Sequence, residues 1–512
     1  MFTHFRTNFI DEKSTITMQI EHIFGYRGHQ CRKNLLTNSS NSHLIYFIAG
    51  VVVCYEIKSG KQYFYTGPHD DDITAITSFK NMIAVGQLGK TSKISIFKVT
   101  SETTKNEFTD YESTFNAQHA HGFSSMTFFQ ERYLVTCGLD QPNYTISVFD
   151  WARGTKITET RSGSSRMFDI SVFKNSIVTA GVAHLKIWNL SGNVLESKSL
   201  NFGGIPKPKC MAVSVHTTKP FIYVTTLEGD IFIWKIKSTD TEKTPFQVLQ
   251  KFHSNGGVFC SFCVKNDCLI TAGKNESRIV LFEVLSSGEI QVQKEIDLSG
   301  SNFTHDRTSF CSYVFAENSM YLGSRDNSIF KIETLIPCRS KTVNSRKKLE
   351  ETSATPSYTL IPVTTGHSNG ELWGLSTCGN KITTASDDQS LRVWNLNPTE
   401  KNYTAVSTCW LKFPLRSCCF SPDGQLLAAG SKTGTFVILE TVDLSELYQI
   451  SHRKEALHDL KFSPDGNYLA VASNDNFVDI YDSTKKFKRV SVLKTGLSSF
   501  VTHLDWSTDR VD

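Results

Sequence analysis

The sequence predicts an all-β protein built from tandem β-propellers of WD-repeat type, the second ring incomplete. Three observations carry that prediction. Short β-branched strands closing on an aromatic residue recur along most of the chain. Aromatic residues make up 11%, with 35 Phe and 16 Tyr, a composition that favours strands over helices. Two turns, Ser421-Pro422-Asp423-Gly424 and Ser463-Pro464-Asp465-Gly466, place Pro at the second and Gly at the fourth position of a type I turn.

The closing strands end at Phe97, Phe149, Trp188, Trp234, Phe282, Phe330, Trp394, Leu439 and Tyr481. Successive spacings run from 39 to 64 and fall mostly in the forties, the period of propeller blades. Each unit reads as an apolar strand, a turn, a second strand ending in small residues, a polar turn and the closing strand. Nine such units, strands at 44–66 and a tenth start at 500–506 exceed the ~4 to 8 blades that close one ring. Two rings follow. Residues 1–22 form an N-terminal segment without a coiled-coil heptad, and residues 23–335 a first ring of about seven blades. Residues 336–362 form a basic junction loop and 363–512 a partial second ring. Since the chain stops just after the first strand of a blade, the sequence reads as C-terminally truncated, because an open ring leaves an unpaired strand edge.

The opening stretch occurs once. Gly25-Tyr26-Arg27-Gly28 leads through Cys31, Arg32, Lys33 and Asn34 into Leu44-Ile45-Tyr46-Phe47-Ile48-Ala49-Gly50-Val51-Val52-Val53-Cys54-Tyr55. This run is shorter than the ~20 apolar residues of a membrane span and is broken by glycine, so it reads as buried strand. The pairing of a Gly-Tyr-Arg-Gly element with a Val-rich run resembles the hydrophobic (HELP) motif of the echinoderm microtubule-associated protein-like family. The likeness continues at Gly67, His69, Asp70-Asp71-Asp72, Gly86-Gln87, Gly366-His367, Glu371-Leu372-Trp373-Gly374-Leu375 and 498–506, so it covers roughly residues 20–512. It implies a pair of packed propellers opened by the motif, with Gly25, Tyr26, Arg27, Gly28, Cys31, Arg32, Asn34, Val51, Val52 and Val53 as structural motif residues. Family members often attach to microtubules through an N-terminal coiled coil; residues 1–22 show none, so that route is not expected here.

Composition narrows the function classes. Hydrophobics at 39%, charged residues at 20% and a net charge of +4 describe an ordinary globular chain and give no argument for nucleic acid or membrane. Neither a signal peptide nor a run of 18 apolar residues is present. The 13 cysteines, odd in number and scattered through apolar strands, predict reduced core thiols in a reducing compartment.

Four constellations contain residue types that could carry chemistry. Gly86-Gln87-Leu88-Gly89-Lys90-Thr91 lacks the first glycine of a phosphate-binding loop, having Ala84 there, and leads into a strand instead of a helix. Cys260, Cys263 and Cys268 with His253 have no second pair of zinc ligands. His367, Ser386, Asp388 and Trp394 have no nucleophile elbow; they match the structural hydrogen-bond network of WD repeats. Asp70-Asp71-Asp72 lacks the spaced ligands of a calcium loop and reads as a solvated turn, with Arg27, Arg32 and Lys33 expected to pair with such carboxylates, the alternative being contact with an acidic partner. No enzyme activity, cofactor or metal is predicted.

The resemblance implies a cytoplasmic, cytoskeletal scaffold that binds tubulin or microtubules and further proteins through its propeller faces, without nucleic acid or membrane. The most basic run, with Arg339, Lys341, Arg346, Lys347 and Lys348, lies in the junction and is a candidate contact for tubulin's acidic tails. The competing reading is a general WD-repeat scaffold or substrate-recruiting adaptor, although no repeat closes on a Trp-Asp-x-Arg motif.

Overall fold

The computed structural model describes residues 2–7, 18–29, 31–66, 71–99, 112–117, 119, 121–236, 245–253, 257–263, 268–274, 276–298, 308–317, 319–332, 358, 360–368, 370–396, 405–494, 496 and 499–507. They form two compact units, 2–364 and 365–512. The fold is all-β: four-stranded antiparallel sheets succeed one another, and one 3-10 turn at Ser483–Lys485 is the only helical element described. No helix among the described residues is long and apolar enough to cross a membrane.

In the first unit seven such sheets follow in chain order, spanning 36–66, 73–116, 123–163, 167–199, 210–249, 257–297 and 310–364. A two-stranded ribbon, Phe2–Thr7 with Met18–Phe24, precedes them. Every closing aromatic sits in the third strand of its sheet, as at Phe97 in Lys93–Lys98 and Trp234 in Ile231–Lys235. The fourth strand of the last sheet, Leu360–Thr364, begins in the stretch read as junction, 336–362, and pairs with Ile329–Ile332. Its Pro362 is accommodated because an outer strand has one edge free of ladder bonds.

Side-chain packing, not a shared ladder, joins sheet to sheet. Along the Leu44–Tyr55 run, Ile45, Phe47, Val52 and Cys54 pack with Ile73, Ile83, Val85 and Phe97 of the second sheet. The alternate residues Leu44, Tyr46, Val51 and Val53 pack with Cys311, Tyr321 and Ile329 of the seventh. Side chains on a strand alternate between faces, so a run buried on both sides must be apolar at every position. Similar clusters link the second sheet to the third and so on to the seventh. The seven sheets thus pack in a cycle, and the opening motif supplies the first of them.

Two backbone devices recur. The first strand of the second to seventh sheets carries a one-residue bulge near its start, at Thr74, Ser124, Phe168, Met211, Val258 and Cys311. Polar side chains near these bulges then staple neighbouring sheets: the Phe123 amide donates to Thr74 Oγ1 (3.0 Å) and the Val213 amide to Asp169 Oδ2 (2.8 Å). The Leu35 amide donates to Ser312 Oγ (3.0 Å), using the same device between the seventh sheet and the loop that enters the first.

The second unit contains three four-stranded sheets, at 372–410, 415–451 and 457–494, an incomplete ring. Consecutive clusters join them, and Val501, Leu504 and Trp506 continue the pattern against Ala470, Ala472 and Val478. The staples repeat, from the Phe420 amide to Ser376 Oγ (3.2 Å) and from the Leu504 amide to Asp459 Oδ2 (2.8 Å).

Val52 is fully buried between the first and second sheets. Val52→Asp places an unpaired carboxylate there and is expected to destabilise the first unit by about 4 kcal/mol or more. Thermal melting with limited proteolysis checks this; a melting curve unchanged from the parent's would show that the run does not brace the unit.

Candidate functional site

Residues 25–29 and 31–35 run between the sheets of the first unit, and local backbone chemistry dictates how. Gly25 has φ 97°, a left-handed conformation suited to glycine, and its amide donates to Thr364 Oγ1 at 2.9 Å. Gly28 approaches the seventh sheet so closely that a Cβ there would lie 1.7 Å from the Ser324 carbonyl oxygen. Its amide donates to Asn327 Oδ1 at 3.0 Å. Between the glycines Tyr26 is fully buried; its hydroxyl donates to Asn34 Oδ1, and Asn34 Nδ2 donates back to the Arg27 carbonyl. Burial pushes the Tyr26 phenol well above its ordinary range and the neighbouring Cys311 thiol up to about 12, so both remain neutral packing groups.

The cations of this loop spread over several sheets. Arg27 pairs with Asp72 at 2.5 Å, which gives the acidic cluster an internal partner. Arg32 donates to the Met211 carbonyl, and Lys33 Nζ donates to the Val213 carbonyl (2.7 Å) and pairs with Asp169 (2.7 Å). The Asp169 carboxylate also accepts the amides of Ile170 (2.9 Å) and Val213 (2.8 Å), so a nearly buried charge is fully satisfied. Cys31 is partly buried beside Arg27, and burial pushes its thiol up against the pull of that guanidinium. Two cavities flank the loop. One, of about 650 Å³, is lined by Lys33 and by Thr and Ser side chains of the second to fifth sheets. The other, of about 350 Å³, is lined by Arg27 and Arg32 together with the bulge residues Thr74, Ser124, Phe168 and Met211.

In the second unit His367 Nδ1 donates to Asp388 (3.1 Å), Thr384 Oγ1 donates to His367 Nε2 (2.7 Å), and Trp394 Nε1 donates to Thr384 Oγ1 (2.8 Å). Ser386, which the sequence reading places in this network, meets it by accepting the Asp388 amide at 3.4 Å. It donates to the Glu371 carbonyl at 3.0 Å; Thr384, two residues earlier on the same face of Lys381–Ser386, carries the hydroxyl that His367 and Trp394 share. A serine triad is therefore not formed. Burial favours the uncharged imidazole of His367. Burial also opposes the Asp388 charge, but His367, Arg392 and the Ser368 amide outweigh it and hold the carboxyl down at about 2.

Related networks appear where no site was predicted. His119 meets Asp140 (3.1 Å) and Thr136 (3.4 Å); His253 meets Glu276 and Thr271 (2.8 Å). His184 and Trp188 Nε1 share Thr179 Oγ1 at 2.7 and 2.8 Å. A sequence signal existed for the first two: the His-to-Thr separation is 17 and 18 residues there, against 17 for His367 and Thr384. No group of three or more His, Cys, Asp or Glu that could hold a metal occurs among the described residues. Cys268 is buried, while the side chains of Cys260 and Cys263 and the basic residues Arg339, Lys341, Arg346, Lys347 and Lys348 lie outside the described residues.

Two measurements test these roles. Gly28→Ala must displace a backbone carbonyl and is expected to cost roughly 3 kcal/mol in denaturant unfolding; a loss within error of zero would mean that the close approach is not needed. Burial and the charges of Lys186 and Lys207 push His184 down to about 4 from 6.5. The unfolded chain then binds a proton that the fold refuses. The stability tied to His184 is present above about pH 6.5 and falls away toward pH 4, by up to on the order of 3 kcal/mol. Melting of His184→Gln and parent at pH 7 and pH 5 should show the smaller acid loss in the variant; equal losses would remove His184 from the account.

Comparison with known proteins places this architecture. The family model described as the echinoderm microtubule-associated protein first β-propeller matches residues 61–332, that of the second β-propeller matches 372–511, and the HELP motif matches 15–53. Echinoderm microtubule-associated protein-like 2 of Homo sapiens is 27% identical over 519 residues, covering 97% of this chain and 72% of the relative. Echinoderm microtubule-associated protein-like 1 of Mus musculus is 27% identical over 524 residues, 97% of this chain and 58% of the relative. The 77 kDa echinoderm microtubule-associated protein of Strongylocentrotus purpuratus is 27% identical over 513 residues, 97% of this chain and 68% of the relative. The chain thus spans between 58% and 72% of the length of these relatives. With its first-propeller match alone covering more than half of the residues, the chain belongs to the echinoderm microtubule-associated protein family.

Proposed function

We propose that this chain is a cytoplasmic, cytoskeletal interaction scaffold that binds tubulin or microtubules through its propeller units. The observation that carries the reading is the likeness, over 97% of the chain, to proteins named for microtubule association. The architecture supports a binding role and not a catalytic one: buried histidines and carboxylates are engaged in blade networks, where each has a structural partner. In this reading the motif residues Gly25, Tyr26, Arg27, Gly28, Cys31, Arg32, Asn34 and Val51 to Val53 hold the first unit together, and His367, Asp388 and Trp394 hold the eighth sheet. The loops on the faces then carry recognition, and no cofactor takes part. The basic junction, Arg339 to Lys348, contributes electrostatic attraction to acidic tubulin tails.

Co-sedimentation with polymerised microtubules and pull-down of free tubulin test the proposal. Binding to at least one is expected, weakening as salt rises. Replacing Arg346, Lys347 and Lys348 by Glu should weaken it several-fold; unchanged binding would discard the junction's role. Binding of the parent chain to neither form of tubulin would overturn the proposal and favour a general scaffold or adaptor.

A further inference from the structure

The smaller cavity beside the opening loop has a charge pattern that the fold does not use. Among the described residues five cations line it, Arg27, Arg32, Arg166, Lys209 and Arg325, and no carboxylate does. Arg27 is committed to Asp72 and Arg32 to the Met211 carbonyl. Among the described residues, Arg166, Lys209 and Arg325 have no side-chain hydrogen bond or ion pair. Three of the five converge on one aromatic ring: Arg32, Arg166 and Lys209 stand 5.5, 5.6 and 5.5 Å from the centroid of Phe168. Phe168 is itself a bulge residue, the extra residue between Met167 and Asp169, and bulges re-aim side chains in this way. Burial opposes the charge on Arg32; Asp169 favours it, and Arg325 and Arg166 both act against it. The buried carboxylate Asp169 is already engaged by Lys33 and two amides.

We propose that this cavity is a docking site for an acidic peptide segment of a partner protein, whose Glu or Asp carboxylates enter among the five cations. Arginine presents a planar fork that matches a carboxylate in two parallel hydrogen bonds, and three of the five are arginines not engaged by any carboxylate: Arg32, Arg166 and Arg325. The apolar part of the wall, with Phe168, Leu139 and Met211, suits the methylene stem of a glutamate. A volume of about 350 Å³ admits side chains and not a folded domain. The convergence of the charges on one point differs from the stripe that tracks a nucleic-acid backbone. The inference rests on the cavity alone and holds whether or not tubulin supplies the peptide.

Fluorescence anisotropy of a labelled oligo-glutamate peptide titrated with the full chain tests it, with oligo-glutamine as the uncharged control. Saturable binding is expected at low salt and weaker binding at ~0.15 M salt. The triple variant Arg166→Ala, Lys209→Ala, Arg325→Ala should bind about tenfold more weakly, the scale set by three partly exposed ion pairs. The charge-matched control Lys412→Ala, Lys432→Ala, Lys454→Ala should bind as the parent does. If the triple variant fails to fold, the single variants Lys209→Glu and Arg325→Glu provide the same comparison. No binding by the parent at low salt, or equal losses in the cavity and control variants, overturns the proposal. So does variant-sensitive binding of inorganic phosphate without binding of the peptide. Co-sedimentation run in parallel keeps the two readings apart: peptide binding without tubulin binding sinks only the earlier one, and the reverse sinks only this one.

Discussion

The first unit depends on one ion pair, Lys33 with Asp169, set where the strands of several sheets converge. A buried charge is tolerated only when its hydrogen-bonding capacity is filled. Asp169 meets that requirement from three directions: the Ile170 amide in its own strand, the Val213 amide of the next sheet and the Lys33 ammonium of the opening loop. One carboxylate thereby staples the fourth sheet to the fifth and anchors a loop that belongs to the first. Lys33 in turn donates to the Val213 carbonyl, so Val213 is gripped at both its polar groups. The tenth sheet shows the staple without the loop: Asp459 accepts the Leu460 and Leu504 amides at 2.9 and 2.8 Å in the corresponding arrangement. The staple is therefore a property of the repeat, and the loop exploits it.

This arrangement explains why the opening stretch has the composition it has. A loop passing between packed strands must bring its own donors and acceptors, since an unpaired backbone group there is costly. Asn34, Tyr26 and Arg27 satisfy one another in part, and the glycines remove side chains where backbone meets backbone. Beyond the loop, the chain enters a strand pair pressed between the second and seventh sheets, and every residue from Leu44 to Cys54 except the turn at Ala49-Gly50 and Ile48 beside it is buried. The loop and the run answer different requirements of one position, the start of a cycle whose last member arrives some three hundred residues later.

How much of this was legible in the sequence follows from what each element exposes. The nine closing strands were readable because an inner or third strand is buried and its β-branched pattern is dense. Outer strands were not: Thr155–Gly163 is mostly exposed, so its composition carries no apolar period, and Leu360–Thr364, which begins in the stretch read as junction, is interrupted by Pro362. The sequence reading set His367, Ser386, Asp388 and Trp394 in one network; the hydroxyl that His367 and Trp394 share belongs to Thr384, two residues before Ser386 on the same strand face, and a one-dimensional pattern does not distinguish the two. The pairing of Lys33 with Asp169 and the bulge at Phe168 had no one-dimensional signature. Both depend on register between strands far apart in the chain, and register is fixed by packing, not by local pattern.

The departures among repeats are also physical substitutions and not losses. Where Trp394 and His367 share Thr384, the tenth sheet instead has Tyr481, whose ring stacks on His452 with centroids 5.7 Å apart and whose hydroxyl lies 3.0 Å from His452 Nδ1. Arg453 closes that site on Asp479 at 2.6 Å and on Asp475 at 3.1 Å, filling with an ion pair the space that a histidine and threonine fill elsewhere. A repeat tolerates such exchange because its neighbours require only that the shared wall be packed and its polar groups paired. The bulge position is freer still. It holds Thr74, Phe168, Met211 or Trp373 in different sheets, because the extra residue leaves the ladder; in the first unit Thr74, Ser124, Phe168 and Met211 line the smaller cavity, while Cys311 packs in the core. The scaffold thus separates the positions that must be conserved in kind from those open to acquire recognition. In the first unit the opening loop brings Arg27 and Arg32 to the cavity where the bulge presents Phe168. The element that completes the packing therefore also charges the surface that faces solvent.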